Sequence, residues 1–129
     1  MPQSSLPANV AVNPSDALAP LKVDAEGNLL STKGGSKSAL NLTAAAVIKA
    51  TPGRIAKVIV VAGGTASNGA FTLNDVATVG GAAAGNEIMT IPSGAAAGTV
   101  YDIDWPCAAG IVLSAVPSAG SPILSVSYS

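Results

Sequence analysis

Histidine is missing from this 129-residue chain, cysteine occurs once, and aromatic residues make up only 3% of it. Without His, the common zinc ligand sets and the Cys-His and Ser-His-Asp nucleophile systems cannot be assembled. A lone Cys107 cannot form an internal disulfide, and with no neighbouring base it reads as a small buried apolar side chain. Charge is scarce as well. Charged residues are 10% of the chain, where a free-standing domain carries roughly 25%, so the surface is of a kind that other surfaces cover. Six cations against seven anions leave a net charge of -1 with no basic block, which excludes nucleic acid as a partner on electrostatic grounds. The first residues, MPQSSLPANVAVNP, have neither a positive leader nor a continuous apolar stretch. No run approaches the ~20 apolar residues of a spanning helix, so cytosolic synthesis and no membrane association are expected.

What is present falls into two parts. Residues 1–40 carry Pro2, Pro7, Pro14 and Pro20 among Ser, Asn and Gly, a pattern that sustains no helix and fits no central strand. They read as an extended arm with one apolar island, LKVDAEGNLLS at 21–31. There Leu21 and Val23 alternate with polar residues, turn chemistry follows at 24–28, and Leu29 and Leu30 come next. A small hairpin or strand that docks on a partner is expected at this island. TKGGSKS behind it is a hinge rather than a phosphate loop, because the first Gly of that motif is not at the required spacing.

Residues 41–129 read as one domain of short β-type runs at 41–50, 54–62, 69–76, 86–91, 99–105, 109–115 and 122–128. With the arm's piece, about seven or eight strands are expected, as an antiparallel β-sandwich or jelly-roll-like barrel. TPGR at 51–54 has the type II turn pattern and joins the first two strands or carries the chain between sheets. Leu124, Val126 and Tyr128 alternate with Ser125 and Ser127, and Phe71 and Leu73 with Thr72 and Asn74, so these strands have one wet face. KVIVVA at 57–62 does not alternate. It reads as a central strand covered on both sides, or as one that also meets a partner chain. GAAAG occurs at 81–85 and again at 94–98, and its bracketing glycines favour close-packed loops over short helices.

The stretch YDIDWPC at 101–107 gathers the only Trp, the only Cys and two of the five Asp residues. Asp102 and Asp104, two apart on a strand, project from one face at roughly 6 to 7 Å, near the spacing of a glycosidase pair. The structural alternative is that Tyr101, Ile103 and Trp105 enter the core from the other face, both carboxylates meet water, and Pro106 ends the strand. That alternative is preferred, since no aromatic platforms for sugar accompany the pair. NLT at 41–43 matches a glycosylation acceptor, without meaning in a chain that is not exported. Lys22, Lys33, Lys37, Lys49 and Lys57 read as solvated, or as contacts to an acidic partner.

Taken in order, LTAAAVIKATPGRIAKVIVVAGG, FTLNDVA, NEIMTIPSGAAAGTVYDIDWPCAAGIVLS and SPILSVSYS resemble a small structural domain of tailed phages and prophages, over about residues 41–129. The resemblance implies a virion protein with no catalytic residues, no enzymatic activity and no cofactor. It implies a capsid decoration (cement) protein, a head fibre, or a tail-associated or receptor-binding part. With only about 40 residues ahead of the domain and no heptads or collagen triplets, a compact cement protein fits better than a fibre. The expected partners are the major capsid protein and further copies of the chain, as homodimer or homotrimer, on the capsid surface after synthesis in the host bacterial cytoplasm. Leu21, Val23, Leu29 and Leu30 are the expected partner contacts. A tail or receptor-binding module and a virion-associated glycan hydrolase built on Asp102 and Asp104 are the competing readings.

Overall fold

A computed structural model describes residues 10–12, 18–20, 25–27 and 37–129. The chain divides into two units, Met1–Thr32 and Lys33–Ser129. In the first, β1 (Val10–Val12) and β2 (Leu18–Pro20) pair antiparallel, with Val10 opposite Pro20 and Val12 opposite Leu18. The ladder therefore lies ahead of the 21–31 island expected to form a hairpin. Pro20 is tolerated because it occupies the last position of the ladder. Of the island itself, a turn at 25–26 followed by Gly27 (φ +85°) is described, matching the turn chemistry there.

The second unit holds eight strands. They are β3 (Lys37–Leu42), β4 (Ala46–Lys49), β5 (Gly53–Ala62), β6 (Ala70–Asn74), β7 (Glu87–Pro92), β8 (Val100–Cys107), β9 (Ile111–Ala115) and β10 (Ile123–Tyr128). One sheet has the order β3-β10-β5-β8 and the other β4-β9-β6-β7, all antiparallel. The pairs β3/β10, β4/β9, β5/β8 and β6/β7 are those of one long hairpin folded at the β6–β7 tip. Rolling that hairpin up adds the β10/β5 and β9/β6 pairings. This is the jelly-roll arrangement, in which a double Greek key closes over one core. The all-β sandwich expected from strand spacing is thus found.

Two local expectations are corrected. The run 41–50 is not one strand: Asn41 takes a left-handed φ of +54°, and β3 and β4 belong to different sheets, with the chain crossing at 43–45. Asn accepts that conformation more readily than most side chains. TPGR does carry the chain from one sheet to the other, yet Gly53 is absent from the residues with positive φ, as a type II turn would need. Gly53 is small for another reason, since a Cβ there would collide with the Ser129 carbonyl oxygen.

The core lies between the sheets. Ile55, Val58, Val60, Leu124 and Val126 enter from the first sheet, and Phe71, Leu73, Ile91, Ile111 and Leu113 from the second. All are essentially fully buried, and Tyr128 packs against them as the alternation of β10 predicted. Lys37 pairs with Tyr128, so the domain begins beside its own last strand. The first GAAAG spans two short 3-10 turns, Val79–Gly81 and Ala84–Asn86, in the β6–β7 loop. The second forms a loop in which Ala95 bridges Gly63, and a Cβ on Gly94 would press on Ala66. No helix among the described residues is long and apolar enough to cross a membrane.

Candidate functional site

The YDIDWPC stretch forms β8, an edge strand of the first sheet. Two steps along β5, from Ile55 to Lys57, face three along β8, from Asp102 to Trp105, so β8 carries one extra residue there. Asp104 sits in this bulge with φ +43°. The bulge breaks the alternation on which the sequence reading relied. Tyr101 and Ile103 pack against the core, but Trp105 is 52% exposed and does not join it. Pro106 does not end the strand either, because β8 runs on to Cys107 and an edge strand tolerates a missing N–H.

The bulge places the two carboxylates in different settings. Arg54 Nη1 donates both to the Asp104 carboxylate and to the Asp104 carbonyl oxygen, each at 2.9 Å. Asp102 instead lies opposite Lys57 in the ladder. The Arg54–Asp104 ion pair is exposed, which limits its stabilising effect to below about 1 kcal/mol, so it fixes the bulge more than it holds the fold. Cys107 is buried, as expected. Burial pushes its thiol up to about 11, the Asp75 carboxylate adds to this, and a hydrogen bond involving the Ile55 backbone opposes it only in part. A thiol so protonated is a poor nucleophile near neutrality.

At the β6–β7 end, the structure shows a polar cluster that sequence reasoning missed. Asp75 accepts hydrogen bonds from three successive backbone N–H groups, those of Ala108 (2.9 Å), Ala109 (2.8 Å) and Gly110 (3.2 Å). Its partial burial raises its pKa, but these three donors outweigh that and hold the carboxyl below its ordinary value. Beside it, buried Asn74 accepts from Ser114 Oγ at 2.6 Å and donates to Asn86 Oδ1 at 2.8 Å and to the Ala83 carbonyl at 3.1 Å. Asn86 closes the loop by accepting from the Ala83 N–H and donating to the Gly81 carbonyl. Asn74 pairs with Val112 in the ladder, and Val112 is fully buried although its strand neighbours Ile111 and Leu113 supply the core from the other face. Loop 75–86 therefore folds back over the outer face of the second sheet, and its polar groups are spent on holding it there.

The outer face of the first sheet has no such cover from that loop. Along β5, Val58 and Val60 are buried while Ile59 and Val61 are about 40% exposed (38% and 42%). KVIVVA is thus a central strand, as one sequence reading held, but it alternates, with apolar groups on both faces. Ile59 lies opposite Val100 (53% exposed) on β8 and opposite Ser125 on β10. Ser125 Oγ accepts from the Asn41 N–H, next to Leu40, which is also exposed. A row of Val100, Ile59, Ser125 and Leu40 consequently crosses all four strands. Below it, Lys57 and Asp102 face each other across β5 and β8 without an ion pair among the described residues.

Leu21, Val23, Leu29 and Leu30, the expected partner contacts, lie outside the described residues, as do Lys22 and Lys33. Among the described residues no three His, Cys, Asp or Glu side chains come together as a metal set. Comparison with protein-family models, with curated proteins and with solved structures finds no match. The candidate site is a surface, the outer face of the first sheet, on the exposure of Ile59, Val61 and Val100 there.

Proposed function

We propose that the protein is a structural component of a tailed-phage virion, a decoration protein that binds the outer surface of the head and stabilises it. Three of the polar groups are taken up structurally: Asp104 on Arg54, Asp75 on a backbone turn, and Asn74 in a loop anchor. On its first sheet the domain turns outward the apolar side chains of Ile59, Val61 and Val100 on two neighbouring strands, and this is the observation that carries the reading. The ordered set of motifs over residues 41–129 supports it, and so does the jelly-roll topology, which viral capsid domains often use. Adhesion through area is the mechanism. Copies of the chain associate, and the arms of one oligomer engage the major capsid protein together, so that weak contacts add through multivalency.

Exposed Trp105 beside the Arg54–Asp104 pair favours a second reading, a tail-associated or receptor-binding module, because aromatics next to charge are common at recognition sites. Co-sedimentation separates the two. The full chain should pellet with purified heads at a stoichiometry set by the capsid lattice, and a Trp105→Ala variant should pellet equally well. Failure of the full chain to pellet with heads would contradict the decoration reading.

A further inference from the structure

We infer that the outer face of the first sheet is a two-fold interface with a second copy of this chain. The inference deepens the proposed function and rests on its premise that copies associate.

Both outer faces of the sandwich carry apolar residues, and they are treated differently. Over the second sheet, loop 75–86 is anchored on Asn74 and the neighbouring Val112 is fully buried, with Val47 opposite it on the edge strand β4 left 45% exposed. Over the first, Ile59, Val61 and Val100 remain exposed on the two adjoining strands β5 and β8. Leaving such a patch bare on neighbouring strands costs free energy that a second apolar surface would recover.

Charge identifies the occupant. Directly beside the Ile59–Val100 pair stands Lys57 opposite Asp102, one charge of each sign on the same face. A two-fold axis running along the groove between β5 and β8 exchanges the two strands. It places Lys57 of each copy over Asp102 of the other, and Ile59 of each copy over Val100 of the other. An isologous contact requires a patch complementary to itself, and this one satisfies that requirement in both apolar and charged positions. An acidic or basic partner would instead leave one of the two charges facing its own sign. Ser125 and Ser127 of the adjoining β10 are small, with hydroxyls accepting from the Asn41 and Lys57 N–H groups, so the side chains of β10 itself do not project above the patch. The low overall charge, net -1, adds little repulsion between copies.

The test uses the full chain in solution, without capsids, by sedimentation velocity. The unmodified protein should be a dimer at micromolar concentration. Lys57→Asp alone and Asp102→Lys alone should each weaken the dimer at least about tenfold, since each sets like charges against each other across the axis. Mixing the two variants should restore association, because every cross-axis pair is again of opposite sign. Both positions are on the surface, so circular dichroism should be unchanged. A monomer, a trimer, dimers indifferent to both substitutions, or a mixture that stays dissociated would each overturn the inference. A chain that dimerises this way but fails to pellet with heads would contradict only the capsid reading. One that pellets as a monomer would contradict only the interface.

Discussion

Asp75 ties the end of β6 to the turn between β8 and β9, because its carboxylate receives three consecutive N–H groups at 108–110. A Cβ on Gly110 would approach the Val76 carbonyl oxygen to 2.6 Å, so that turn has no slack to find other partners. Asp75→Ala should destabilise the fold by about 1–3 kcal/mol, measured by urea unfolding. The depressed pKa gives the effect a pH signature. Between the folded value and the unfolded value of about 3.9, the unfolded chain binds more protons, so stability rises with pH there. The contribution is complete above about pH 4 and is lost as pH falls through the folded pKa. The variant should therefore show a shallower acid loss than the wild type; an equal loss would mean that Asp75 does not carry it. Neither this residue nor the Asp104 bulge was legible in the sequence. Asp75 and its donors are 33 to 35 positions apart, and Asp104 and Arg54 are 50 apart, so no local spacing announces either contact. Cys107 was legible, since a thiol without His or a nearby base has packing as its remaining role.

Strands were readable in proportion to how far burial alone decides their pattern. β6 and β10 sit with one face on the core, and their period of two placed Phe71, Leu73, Leu124 and Val126 correctly, but their other face is not wet as expected, since Asn74 and Ser125 there are buried. β8 failed because a bulge resets the period within the strand, leaving Trp105 half-exposed. The 41–50 run failed because a jelly roll crosses between sheets with only three residues, too few for composition to register. KVIVVA left two alternatives open, and its central place with exposed Ile59 and Val61 leads to the interface inferred above. The β6–β7 loop permits a direct test at this scale. Asn74→Ala would leave Ser114 Oγ, Asn86 Oδ1 and the Ala83 carbonyl without their shared partner. A loss of about 2–4 kcal/mol is expected, with faster hydrogen exchange in loop 75–86 and at Val112. Unchanged exchange there would show that Asn74 does not hold the loop down.

At the scale of the molecule, the polar groups hold the jelly roll closed while one apolar sheet face stays turned outward. The fold class followed from strand number and spacing, because eight short antiparallel strands without helices have few ways to bury one face each. Which face would remain open did not follow, since it depends on where loop 75–86 lands. The truncation that respects this architecture removes residues 1–36, because β3 begins at Lys37 and fills the edge beside β10. The central claim, that the chain decorates a phage head, is tested most directly by locating it in purified particles by electron cryomicroscopy. The account predicts density for the jelly roll on the outer capsid surface, with occupancy following the capsid lattice. Density confined to a single vertex or to the tail would contradict it.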